Sequence, residues 1–394
     1  MAESTAGGST VASVGAGLYQ LLLVTTRRAD LAQNEAIGTD HLLAGLMLAV
    51  RPLQAVFDPP GPDVAAALSR RTRAGWRAAT TASTSAGWEA LGALREAHWN
   101  ATVGWPRPRR IAHRSAPAWE QEVQEAVERA LHHALAQGRG WAGEADLFAG
   151  LLDDPGNRAG DFLRENRVDR ESARARIDRV WPDRTAGPRT PIADVLRKMG
   201  VLTDPAAPDA PTGRGGRFAA RVIPLFAGAG PLLAELERQT VVQAIRVNQR
   251  SVTSAHLVLA VLAYEQQLRV TGLRPTGPAA AGSRPVLLEL GASYPDAPGV
   301  AARIEAQGPP APARKGRAVR ARADGTQWTE AAADACDRAR AAGGRRGVSA
   351  GSLHLLRAAL TGTDDTGRRL LTGLGLDPER VLTAVGTRLG DQSP

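Results

Sequence analysis

Apolar positions along the chain recur mostly at intervals of three and four, the period of a helix with one buried face, and rarely alternate as a half-buried strand would. Such stretches begin near Leu18 and Leu232 and run over 119–136 and 328–342. Each leads, through a short turn, into a denser apolar run. The four runs are Ile37-Gly-Thr-Asp-His-Leu-Leu-Ala-Gly-Leu-Met-Leu-Ala, Ala142-Gly-Glu-Ala-Asp-Leu-Phe-Ala-Gly-Leu-Leu, Val252-Thr-Ser-Ala-His-Leu-Val-Leu-Ala-Val-Leu-Ala and Val348-Ser-Ala-Gly-Ser-Leu-His-Leu-Leu-Arg-Ala-Ala-Leu. A unit of helix, turn and apolar helix is therefore expected four times.

The turns carry their own chemistry. Thr39, Thr253 and Ser349 stand where a hydroxyl can accept the free N–H groups of the next helical turn, and Asp40 sets a negative charge beside the positive helix terminus. Gly138 and Gly343 stand near the ends of the preceding helices, where left-handed backbone closes a helix. After the second and fourth apolar runs, 160–177 and 367–385 both read as short helix, turn, short helix, the latter opened by Asp377 and Pro378. The third copy has a looser equivalent over 285–293. Long connections follow copies one and three: 51–117, with helices expected near 63–77 and 86–98, and an apolar-poor loop over 303–325.

Residues 203–217 hold three prolines and three glycines with almost nothing to bury, as an interdomain linker does. The expected organisation is all-α, with a double-repeat domain over 15–182, a linker over 203–217 and a second double-repeat domain over 218–390. One repeat buries too little surface to stand alone, whereas a pair can share a core.

Composition agrees with helices. Of 394 residues 43% are hydrophobic but only 4% aromatic, so Ala and Leu must build the cores. The single cysteine, Cys336, excludes an internal disulfide and reads as a small buried hydrophobe. With no basic-then-apolar leader and no apolar run near 20 residues, a soluble cytoplasmic protein without membrane partners is expected.

The formal charge is +9, and Lys198 and Lys315 are the only lysines. Arginines cluster at Arg70, Arg71, Arg73 and Arg77, at Arg107, Arg109, Arg110 and Arg114, and over 314–322, with Trp76, Trp88, Trp99 and Trp105 among the first two groups. Solvated surface is the ordinary reading of such groups. Arg107, Arg109 and Arg110 are nevertheless candidate ligand contacts, and they support an alternative function as a nucleic-acid-binding or transcription-associated protein. Trp88 and Trp99 recur in an amphipathic stretch with Leu91 and Leu94, which makes them anchors of the connection.

Ile37-Gly-Thr-Asp-His-Leu-Leu-Ala-Gly-Leu, after an amphipathic helix and repeated in a partner unit, resembles the Clp repeat of the amino-terminal domain of Clp-type AAA+ unfoldases. The resemblance covers most of the chain outside the linker and long connections. It implies two such domains in tandem and a binding role toward protein or peptide ligands: a Clp substrate, an adaptor or a cyclic peptide. Phosphoarginine recognition in that family uses an acidic residue just before the repeat's histidine. Asp40 holds that position here, while Ala145, Ala255 and Gly351 are read as its uncharged counterparts. The family's motor is missing, since neither lysine stands in a G-x-x-x-x-G-K-[ST] loop.

No other chemistry competes. His41 and His256 follow capping positions and read as structural, and no further ligands stand near them for a metal. His132 and His133 point about 100° apart on one helix, a poor geometry for one ion; His98 and His113 fall in the irregular connection. No Ser, His and acid can be brought together from the sequence without a tertiary fold. The chain is therefore expected to be a non-catalytic adaptor, regulator or decoy, without cofactor or metal.

Overall fold

Helices carry most of the regular backbone in the computed structural model of the chain, which describes residues 11–50, 53, 77–79, 81–103, 116–181, 186–206, 230–276, 283, 285–304, 326–345 and 350–390. The chain divides into two units, Met1–Arg189 and Thr190–Pro394.

Among the described residues of the first unit the helices are α1 (Ala16–Leu31), α2 (Thr39–Ala49), α3 (Ser85–Thr102), α4 (Gln121–Ala136), α5 (Glu144–Asp153), α6 (Arg158–Glu165) and α7 (Arg170–Val180). The pairs α1/α2 and α4/α5 are the two repeats, and α3 packs on both α1 and α4. Leu18, Leu22, Leu42, Leu46, Leu94, Val123, Val127, Leu147 and Phe148 fill one shared core. Each such side chain contributes roughly 1.5–3 kcal/mol by leaving water. The helix expected near 86–98 is thus part of the interior: Trp99 is buried and Trp88 half-buried. His98 lies on this helix rather than in an irregular connection.

Four two-residue strands lock the repeats together. β1 (Ser13–Val14) pairs in parallel with β4 (Trp141–Ala142), and β2 (Ala36–Ile37) with β3 (Ala118–Trp119). These strands stand just ahead of α1, α5, α2 and α4 respectively. The strand before the first helix of each repeat therefore pairs with the strand before the second helix of the other. That exchange is reciprocal, as a twofold relation between repeats requires.

The second unit contains α8 (Pro191–Lys198), α9 (Pro231–Arg246), α10 (Ser254–Thr271), α11 (Ala297–Ala301), α12 (Glu330–Arg345), α13 (Ser352–Leu360), α14 (Thr366–Gly373) and α15 (Pro378–Arg388). Its strands are β5 (Leu202–Thr203), antiparallel to β7 (Arg274–Pro275), and β6 (Ser251–Val252), parallel to β8 (Gln327–Trp328). The β6/β8 pair repeats β2/β3 in detail. Trp328 faces Val252 as Trp119 faces Ile37, and the next N–H, of Thr329 or Glu120, donates to the carbonyl of Val252 or Ile37 at 3.0 Å.

This unit begins at Thr190, ahead of the stretch 203–217 read as a linker and well before residue 218. The reason is α8, whose Ile192, Ala193 and Leu196 are buried and which packs on α9 and α10. Its first N–H groups, at Ile192 and Ala193, donate to Gln267 Oε1 at 2.9 and 3.1 Å. β5 ends on the first residue of the expected linker, Thr203, and 207–217 lie outside the described residues.

Several local expectations change. Gly343 lies within α12, where an added Cβ would meet Ala350 backbone at 2.7 Å, so its smallness serves close packing rather than helix closure. Gly138 does close α4 in the left-handed region, at φ 69°. Gln33 and Asn248 hold the matching positions after α1 and α9 at φ 61° and 59°, despite their side chains. The short helix pairs after copies two and four form as the pattern predicts, with Asp377 accepting the Glu379 N–H at 3.0 Å and Pro378 first in its helix. Residues 63–76 of the helix expected near 63–77, residues 305–325 of the loop expected over 303–325, and Ser349 lie outside the described residues.

Candidate functional site

The histidine positions of the repeat define a common turn. Each apolar helix has an extended residue before its first turn: Gly38, Gly143, Thr253 and Gly351. Three residues on, a side chain folds back and accepts that residue's backbone N–H. The acceptor is His41 Nδ1 at 3.2 Å, Asp146 Oδ2 at 2.9 Å, His256 Nδ1 at 3.0 Å and His354 Nδ1 at 3.2 Å. Accepting through Nδ1 leaves the proton of a neutral ring on Nε2. Burial holds His256 in that neutral form, down to about 4, against an opposing pull from Asp364.

The partner behind the clasp changes with its chemistry. His41 Nε2 meets the side-chain amide of Asn34 at 2.7 Å. Where the acceptor is Asp146, the same place holds Arg139, whose Nη1 donates to Asp146 Oδ2 at 2.7 Å and Nη2 to Oδ1 at 2.5 Å. An imidazole is served there by a polar neighbour, whereas a buried carboxylate needs a cation.

Thr39 is consequently the first residue of α2 and not its cap, which is Gly38. Its hydroxyl donates to Glu122 Oε1 at 3.0 Å and accepts the Ala159 N–H at 3.1 Å, joining α2 to α6 of the other repeat. Ser254 does the same in the second unit: its Oγ accepts the Gly367 N–H at 2.8 Å and lies 2.9 Å from Thr366 Oγ1. Thr253 does precede its helix as expected, with Oγ1 3.0 Å from His256 Nδ1.

Asp40 is 1% exposed, and its Oδ1 accepts the His41 N–H at 3.0 Å. It therefore starts its helix as a buried group closed to solvent. Around it gather Glu120, Glu122 and Arg158, whose Nη2 lies 2.8 Å from Glu120 Oε1. Burial pushes the Glu120 carboxyl up to about 7, with Glu122 and Asp40 adding to the rise and Arg158 opposing it. In the fourth copy Gly351 is the cap, so the residue matching Asp40 is Leu353 rather than Gly351. Arg107, Arg109 and Arg110 lie outside the described residues.

A groove of about 290 Å³ opens on the first unit between the start of α3, the end of α4 and the segment before β1. Val11, Ala12, Leu131 and Leu135 make it apolar, and Thr84, Ser85 and His132 supply polar atoms. Leu131 is buried and Leu135 half-buried, while Thr84 and His132 are exposed. The Thr84 hydroxyl donates to Glu128, which lies 4.0 Å from His132. Such a groove can hold a small apolar group and orient it by a few polar contacts.

Among the described residues no group of three or more His, Cys, Asp and Glu is placed to hold an ion. His133 pairs with Asp153 at 2.6 Å, apart from His132. Cys336 is buried and in no disulfide. No described helix is long and apolar enough to cross a membrane. No protein-family model, curated protein or solved structure matches this chain.

Asp146, His354, Glu120 and Arg158 were not singled out by sequence reasoning. Asp146 and His354 carried a usable signal, since each stands where His41 stands in its own apolar run. Glu120 and Arg158 carried none, because only the tertiary fold brings them to Asp40.

Proposed function

We propose that the chain is a non-catalytic binding protein for protein or peptide ligands, an adaptor, regulator or decoy built from two tandem Clp-type amino-terminal domains. Its repeat motif resembles the Clp repeat, and the observation that carries the reading is the groove of the first unit. There an apolar floor sits on two packed helices, α3 and α4, while hydroxyls and an imidazole stand at the rim. A rigid floor spares a ligand much of the ordering cost of binding. Asp40, Thr39, His41, Thr253 and His256 serve in this reading to hold the scaffold.

The test is selection of displayed random peptides on the full chain, followed by affinity measurement on a Leu135→Glu variant. Leu135 is half-buried at the groove and packs against the core, so a carboxylate there meets any apolar ligand and also lowers the stability of the first unit. Enriched peptides should carry aliphatic or aromatic side chains and lose about tenfold or more in affinity on the variant, measured below its melting temperature. Failure to enrich any peptide, or equal affinity for the variant, overturns the reading.

A further inference from the structure

The groove of the first unit has an edge whose charge runs against that of the whole chain. The protein carries a formal +9, yet the charged group bonded to the groove's lining is a carboxylate, Glu128 of α4. Glu128 stands one turn before His132 and accepts the hydroxyl proton of Thr84, both of them lining residues. Its place is fixed by the cap of α3. The Thr84 oxygen accepts the Gly87 N–H at 2.9 Å, which leaves its own proton for the carboxylate.

Little offsets this charge. His132 Nε2 lies 4.0 Å from Glu128 Oε1, beyond a hydrogen bond, and among the described residues no arginine or lysine pairs with Glu128. Arg129, its neighbour in the chain, turns toward α5, where its Nε donates to the Gly150 carbonyl at 3.0 Å and its Nη2 lies 3.6 Å from Asp154 Oδ2. The two helix ends that frame the groove cancel, since the start of α3 presents about half a positive charge and the end of α4 about half a negative one. The Glu128 side chain is 23% exposed, and of the roughly four acceptor positions of a carboxylate Thr84 takes one. An accessible carboxylate with spare capacity therefore borders an apolar floor.

A wholly apolar ligand would strip water from that carboxylate without replacing it, which costs binding free energy. An acidic ligand would be repelled. An arginine or lysine beside an apolar side chain meets both demands, because its alkyl stem lies along apolar surface while its charged end reaches the carboxylate. Granting the groove its role as the ligand site, we propose that it takes an extended peptide in which an aliphatic or aromatic side chain adjoins a basic one. The apolar side chain covers Leu131 and Leu135, and the cation pairs with Glu128.

Selection of displayed random peptides on the full chain reads this directly: enriched sequences should place Arg or Lys next to an aliphatic or aromatic residue. In a synthetic peptide of the enriched sequence, neutralising the cation, arginine to citrulline or lysine to its acetylated form, should weaken binding about threefold or more. Glu128→Gln, which keeps an oxygen for Thr84, should weaken binding of the charged peptide by a like factor. The two losses should not add, because each removes the same pair. On the native chain, salt at about 0.5 M should shrink the preference for the charged peptide over its neutral twin. Additive losses, or a preference unmoved by salt, overturn the cation contact. Enriched apolar peptides with no excess of Arg or Lys overturn it as well while leaving the groove as the ligand site, and failure to enrich any peptide overturns both.

Discussion

Gly150→Val is expected to lower the stability of the first unit by about 3 kcal/mol, or its melting temperature by about 10 °C. A Cβ at Gly150 would lie 2.6 Å from the Ala126 carbonyl oxygen and 3.1 Å from the Ala130 nitrogen, both backbone atoms of α4. Backbone inside a packed helix cannot swing aside as a side chain can, so α4 and α5 must separate. The matching Gly45 in α2 gives an internal contrast. Its added Cβ would meet Thr25 Oγ1 at 2.6 Å and Leu21 Cδ1 at 3.0 Å, side-chain atoms that can rotate, so Gly45→Val should cost less. Thermal unfolding followed by circular dichroism ranks the two. A smaller loss at Gly150 than at Gly45 would contradict the assigned helix contact.

His256→Ala should cost the second unit a similar amount, about 3 kcal/mol. The ring is buried, so alanine leaves a cavity and also strips the Thr253 N–H of its acceptor in a place water does not reach. His256→Asn, which keeps an acceptor at shorter reach, should lose less. Urea unfolding of both variants checks the order, and a loss below about 1 kcal/mol for alanine would show that the N–H finds another partner.

The helices were legible because an apolar face repeats at helical spacing over many residues. The paired strands were not, since two residues are too few to show alternation. The helix caps misled in a specific way. Thr39 looks like a cap because hydroxyls commonly serve as caps, yet Gly38 holds that place and a histidine side chain satisfies it from inside the helix. The left-handed closures at Gln33 and Asn248 were hidden because only glycine advertises such a position.

The candidate site was less legible than the fold. Its groove draws on 11–12, 84–86 and 131–135, and no local pattern marks those three segments as neighbours. Asp40 was correctly visible as a charge at a helix start. That it would be buried against Glu120 and Arg158 was not, because β3 and α6 reach it only through the exchange of strands between repeats. The division at Arg189 escaped notice for a related reason: α8 precedes the Pro- and Gly-rich stretch but packs beyond it.

The account rests on four copies of one unit, each closed by the same backbone-to-side-chain clasp. A double-mutant cycle in the second copy tests this most directly, by exchanging its carboxylate clasp for the imidazole one of the first. Arg139→Asn alone strands Asp146, 1% exposed, without its cation and should cost about 3 kcal/mol. Adding Asp146→His should restore most of that loss, because a ring at this position can accept the Gly143 N–H while facing an amide, as His41 faces Asn34. Recovery to within about 1 kcal/mol of the native chain is the predicted result. A double variant as unstable as the sum of its single changes would contradict the equivalence of the copies.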